Sequence, residues 1–175
     1  MPETARLVLR RPRLTDADAF AAINADPEVT AFVSLTGPLA RGESDLLLRK
    51  MLDHWADFGF GWWFADERET GELAGFVGLS HPTSLPPMAD EVEVGWRLGR
   101  AHWGKGYATE GGREAVRVAF EERRLERLIS IIDRDNHRSL RVAEKLGFEF
   151  WKDSDHPRWP RGVQLHRLAN PQPPS

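Results

Sequence analysis

Residues 91–133 constrain the topology of this chain more than any other stretch. "EVEVGWRL", residues 91–98, alternates acidic and apolar positions and reads as a strand. A turn holding Gly104 and Gly106 follows, then a helical pattern beginning near Thr109, then "RLISIID", residues 127–133, a second strand. Strand, helix and strand in this order form a right-handed parallel crossover. The crossover sets the glycine turn at the carboxyl end of its first strand, where open α/β sheets take ligands. Glycine allows positive φ and close approach of another group, and the first turn of a helix offers unpaired N–H groups and a positive dipole end. The turn is therefore expected to hold an anion, with a plain strand-to-helix turn as the alternative.

The remaining segments surround this unit. Residues 5–12 read as a strand ending at Pro12. Thr15 with Asp18 resembles a helix N-terminus, Ala19, Ala22 and Ile23 give that helix a face, and it is expected to stop before Pro27. "VTAFV" is a short further segment. Residues 43–59 carry Leu47, Leu48, Met51, Leu52 and Trp55 at helical spacing and end at Gly59. "GWWFADER" and "LAGFVGLS" flank the turn "ETGE" as a hairpin, and "HPTSLPPMAD" is a loop. Residues 136–147 form a short helix capped by Asn136 and ended by Gly147, and "FEFW" and "VQLHRLA" are the last strands. The expected fold class is α+β: a mixed, mostly antiparallel sheet with one central parallel β-α-β crossover, flanked by helices. Residues 1–169 are expected to make one domain and residues 170–175 a disordered tail.

Composition removes several kinds of chemistry. The chain has no cysteine, which excludes disulfides, thiolate metal sites and a cysteine nucleophile. Its formal net charge of −3 gives nucleic-acid binding no electrostatic support. No apolar run approaches the roughly 18 residues of a membrane span, and the start lacks the apolar segment of a signal peptide. A soluble, cytoplasmic protein is expected. The histidines show no metal-ligand spacing, so no metal is expected. The glycine turn is not a dinucleotide fingerprint, because Thr109 stands where the third glycine belongs, and it is not a P-loop.

"EVGWRLGRAHWGKGYATE" followed by "IIDRDNHRSLRVAEKLGF" resembles the GNAT superfamily of acyl-CoA-dependent N-acyltransferases, and within it the RimJ/RimL-like branch. The resemblance is specific over residues 91–150 and looser over 5–80, where "RLVLRRPRLTDADAF" has the branch's opening. It implies a GNAT-like fold with acetyl-CoA as cosubstrate. The superfamily's pyrophosphate loop, Gln/Arg-x-x-Gly-x-Gly/Ala, falls on Trp103, Gly104, Lys105, Gly106, Tyr107 and Ala108, with Trp103 departing from the basic first position. Amides from Gly104 to Thr109 would then take the pyrophosphate, and Lys105 would add charge or simply be solvated. The main chain of Trp96, Arg97 and Leu98 would pair with the pantetheine arm, and the Leu98 N–H would be the oxyanion donor.

Asn136 and Ser139 match the family's CoA-side helix, Asn136 serving as a ligand, a helix cap or both. The tyrosine acid that many members carry seven residues after that asparagine is Ala143 here, so Ser139 inherits the role of stabilising the leaving thiolate. Glu93 matches the family's acidic position and is the candidate base. Glu91, two residues away, shares its face; solvated surface charge and a water-relayed proton are the alternatives. Trp62, Trp63 and Phe32 belong to the core or to a wall of the acceptor cleft. The implied reaction is direct acetyl transfer to a primary amine, an α-amine of a protein N-terminus or small molecule, and a homodimer is usual for the branch. The rival reading is a non-catalytic CoA-binding module.

Overall fold

In a computed structural model, which describes residues 4–34, 36–83, 85–156 and 159–172, the chain forms a seven-stranded sheet. Its strands are β1 (Leu7–Arg10), β2 (Trp62–Glu67), β3 (Leu73–Ser80), β4 (Glu93–Leu98), β5 (Arg127–Asp133), β6 (Glu149–His156) and β7 (Trp159–Ala169). They lie in the order β1-β2-β3-β4-β5-β7-β6. Every neighbouring pair is antiparallel except β4 with β5. The α+β class with one parallel crossover is borne out.

Helices cover both faces. On one side lie α1 (Ala17–Asn24), α2 (Pro27–Thr30) and α3 (Arg41–Phe58), where Phe20, Leu48, Met51, Phe64 and Phe76 cluster. On the other lie α4 (Tyr107–Arg117), continued by a π-helical turn over Val118–Glu122, and α5 (His137–Lys145). There the core includes Leu7, Leu9, Val77, Val94, Leu98, Ala115 and Ala143. Helix α4 sits close on the sheet because Gly111 has no side chain: a Cβ there would meet Val77 Cγ1 at 2.6 Å. Gly59 ends α3 in the left-handed conformation, φ 67°.

Several local expectations are corrected. Helix α4 starts at Tyr107, ahead of Thr109, because Gly106 at φ 83° turns the chain directly into it. The first helical region opens with a short 3-10 turn, and Asp16 rather than Thr15 or Asp18 closes it by accepting the Arg13 N–H at 2.7 Å. Most of "VTAFV" is the end of α2 and a turn; Pro27 starts that helix and Asp26 caps it through the Glu28 N–H at 2.8 Å. Asn170 is buried, its N–H bonded to the Glu126 carbonyl at 2.8 Å and its side chain to the Leu125 carbonyl at 2.9 Å. Of the expected tail, residues 173–175 lie outside the described residues.

The single parallel junction is brief. Glu93 and Ile129 are its one register pair, and the Ile129 N–H donates to the Val92 carbonyl at 2.9 Å. Beyond that point β4 stays fully paired with β3 but has no β5 partner.

Candidate functional site

The missing pairing leaves an open edge on β4. Main-chain groups alternate sides along a strand. The Val92 carbonyl faces β5, and the Gly99 N–H bonds to Ala74 of β3, so the main-chain groups of Val94, Trp96 and Leu98 face the β5 side. Two cavities meet along this edge. The larger, about 390 Å³, runs from Trp96–Leu98 past Trp103 and the glycine turn to α5. The smaller, about 220 Å³, lies over Glu93, Gly95 and Ser130–Asp133 on the α1–α3 side. Trp96, Arg97, Asn136 and Ser139 line both.

The turn is held from behind. Gly104 and Gly106 adopt φ of 73° and 83°, a region that side chains disfavour. Arg6 reaches from the start of the sheet to bond the Lys105 carbonyl at 2.8 Å and pairs with Glu110 at 2.6 Å. Glu67, at the end of β2, accepts hydrogen bonds from the Tyr107 hydroxyl and from Lys105 Nζ, the latter at 3.0 Å. The Tyr107, Lys105 and Thr70 donors hold its carboxyl down at about 2. Gly104, Gly106, Tyr107, Ala108 and Thr109 line the larger cavity, whereas the Lys105 side chain is turned to Glu67.

Trp103, which departs from the family's basic position, has a structural task. Its indole N–H donates to the Leu98 carbonyl at 2.9 Å, and the Arg138 guanidinium lies 4.0 Å from its ring centre. The larger cavity is also lined by Arg138, Arg141 and Lys145, a basic edge of α5 that is not among the residues expected from the sequence. Their spacing of three and four places them on one helical face, and that was the available signal.

The two candidate acids separate clearly. Glu91 is bound by Arg127, with contacts of 2.9 Å from Nε and 2.8 Å from Nη2. Glu93 is half-buried in the smaller cavity, with the Ile131 N–H beside it favouring its ionised form. Burial pushes its pKa up to about 8 against that influence. Asn136 is the N-cap of α5 and accepts the Ser139 N–H at 3.1 Å, while the Ser139 hydroxyl has no protein partner among the described residues.

The aromatic residues also divide. Trp63 is core at 4% exposure, whereas Trp62 and Phe32 wall the smaller cavity. The Trp62 ring lies directly over Gly95, where a Cβ would be 2.7 Å from it. Among the described residues no group of three or more His, Asp or Glu could hold a metal, and no helix is long and apolar enough to cross a membrane.

This architecture recurs in known proteins. An acetyltransferase from Agrobacterium tumefaciens str. C58 has the same fold at TM-score 0.79 and 32% identity, over 96% of this chain and 94% of its own. The uncharacterized protein YkkB of Bacillus subtilis (strain 168) is 35% identical over 98 residues, 54% of each protein. The FsC-acetyl coenzyme A-N(2)-transacetylase of Aspergillus fumigatus is 36% identical over 107 residues, 57% of this chain and 44% of that one. The chain thus spans about half the length of these two curated relatives. The family model described as acetyltransferase (GNAT) domain matches residues 6–149, a span that runs from β1 through the split, the glycine turn and α5: the chain belongs to the GNAT family of acetyltransferases.

Proposed function

We propose that this chain transfers the acetyl group of acetyl-CoA directly to a primary amine, the α-amine of a protein N-terminus or of a small molecule, as a RimJ/RimL-like member of its family. The observation that carries this reading is the parting of β4 from β5 beside Glu93, which puts an acid and an unpaired strand edge on one gap. The branch assignment rests on the opening "RLVLRRPRLTDADAF". The fungal relative is named as an N(2)-transacetylase, which favours nitrogen as the acceptor atom.

Acetyl-CoA, when bound, supplies an acyl group activated as a thioester. The edge from Trp96 through Arg97 to Leu98 pairs with the pantetheine arm as an added strand does. N–H groups from Gly104 to Thr109 receive the pyrophosphate, and Asn136 borders the arm from α5. Ionised Glu93 takes the proton that the attacking amine loses, directly or through water. The Leu98 N–H holds the oxyanion as the C–N bond forms. Ser139 donates a hydrogen bond to the thiolate as the C–S bond breaks. No cysteine is present to carry the acyl group, so both substrates are bound together.

An α-amine suits this site. In a peptide, with a pKa of about 8, it is roughly 10% neutral at pH 7, against about 0.04% for a lysine amine near 10.4. One carboxyl assisted by water suffices for the first and falls short for the second.

The test is thiol release from acetyl-CoA across peptides and small amines, run beside a thermal shift with CoA. Turnover of α-amines above lysine side chains is expected. A CoA shift with no turnover on any amine would favour the non-catalytic module instead.

A further inference from the structure

The side chain of Arg97 is unaccounted for by acetyl transfer. It belongs to the alternating set Glu93, Gly95, Arg97, which faces α1–α3, while Val94 and Leu98 pack in the core beneath α4. It therefore points away from the face that carries the glycine turn. Its Nη1 donates to Asn24 Oδ1 at 2.7 Å, and Asn24 is itself buried and held by Ser44 Oγ at 2.9 Å. Its guanidinium carbon lies 5.2 Å from the Phe76 ring centre. Nε is buried without any partner, and the edge made by Nε and Nη2 donates to nothing among the described residues. Burial alone lowers its pKa, to about 10, so it stays charged at neutral pH.

Among the described residues no acid is paired with this guanidinium. Glu28 is paired with Arg100 at 2.6 Å. Asp133 Oδ1 accepts the Asp135 N–H at 2.9 Å, and neither Asp133 nor Glu93 is ion-paired to Arg97 among the described residues. A sequestered guanidinium without a counter-charge is costly to a folded protein unless a ligand brings the anion. Its unpaired Nη2 can give a carboxylate a charge-assisted hydrogen bond. The thioester arm offers no carboxylate, and the pyrophosphate is assigned to the opposite face of β4.

We infer that the acceptor carries a carboxylate besides its amine, and that Arg97 binds that carboxylate through Nη2, the guanidinium nitrogen that has no protein partner among the described residues and is not sealed off as Nε is, in the cavity walled by Trp62 and Phe32. The acceptor class is a small amino acid or similar amino-carboxylate with an apolar body, in preference to a protein N-terminus. This inference rests on the proposed amine transfer and narrows its acceptor.

The experiment compares α-amino acids and longer amino-carboxylates with their carboxamides, which remove the negative charge; because this also lowers the pKa of an α-amine, rates are compared per neutral amine. Two readouts are taken with wild type, Arg97→Lys and Arg97→Met. The first is kcat/KM with acetyl-CoA. The second is the thermal shift given by the N-acetylated acids and amides in the presence of CoA. Wild type is expected to prefer at least one acid over its amide by tenfold or more in both readouts. Arg97→Met should erase that preference by weakening the acid alone, and Arg97→Lys should restore part of it. Equal use of acids and amides throughout, or an equal loss on both in Arg97→Met, would show Arg97 to be a structural brace and overturn the inference. Preferential binding of the acids without turnover of any amine would support the carboxylate site and sink the transfer reading.

Discussion

The main-chain N–H of Ile131, a donor that a continued parallel ladder would have given to β4, favours the ionised form of the Glu93 carboxyl beside it. The candidate base thus occupies the point where the two strands part. A backbone donor that the split leaves over therefore bears on the acid at the gap.

Glu93→Gln should lower kcat/KM by about tenfold to a hundredfold, the low end for general-base catalysis or beneath it. With an acceptor whose own amine pKa lies well below 7, wild-type activity should rise with pH through about 8, where the Glu93 carboxyl ionises. The variant should lack that limb. An unchanged profile would remove Glu93 from the mechanism.

The same group has a stability signature of opposite sense. Folded protein keeps the Glu93 proton up to about pH 8, whereas the unfolded chain loses it near the ordinary 4.5. The folded state therefore binds more protons across that window, and this group's contribution to stability falls as pH rises through it. Glu93→Gln is expected to melt at the same temperature as wild type below pH 4.5 and above it at pH 8. Each kcal/mol of relief corresponds to roughly 2–4 °C for a chain of this size. Thermal melts across pH decide the point.

Glu67 works in the other direction. Its carboxyl, depressed to about 2, adds stability that is present above pH 4.5 and lost as pH falls towards 2. Glu67→Gln should flatten this acid limb. It should also raise the KM for acetyl-CoA several-fold with little change in kcat, because Lys105 and Tyr107 would lose the anchor that holds the glycine turn.

Gly106→Val should abolish the thermal shift produced by CoA. Holding a branched residue at φ 83° costs on the order of 1–3 kcal/mol, and its side chain would intrude where the pyrophosphate approaches. Circular dichroism of the variant establishes that it is folded. A folded variant with an undiminished CoA shift would refute the assignment of the turn.

Initial rates measured against both substrates should give intersecting lines, since no cysteine is available to hold the acetyl group between two half-reactions. Parallel lines, or an acetylated protein formed and consumed at the rate of turnover, would contradict direct transfer.

The period-two and helical patterns carried most of the fold, because strand alternation and helix faces are properties of neighbouring residues. β5 at Arg127–Asp133 and the Asn136 cap of α5 follow from such patterns alone. The site was less legible where partners come from afar. Glu91 and Glu93 look alike in sequence, and Arg127 and Ile131 on β5 distinguish them. Lys105 looks like a phosphate ligand until Glu67, 38 residues earlier, takes its ammonium group. The sequence marks Arg97 for its main chain alone, since nothing within the strand reveals that Asn24 meets one edge of its guanidinium and leaves the other without a protein partner.

The indole of Trp103 has a consequence for what the end of β4 can associate with. It occupies the Leu98 carbonyl and leaves the N–H of the same residue facing the gap. A strand that lengthens a sheet needs a donor and an acceptor from each such residue, and exposed edges that provide both invite other chains to add on. Leu98 presents a donor with its acceptor already engaged. It can receive one lone oxygen, and a strand added along Val94 and Trp96 would find its ladder weakened at Leu98, which makes this end of the edge a poorer template for other chains.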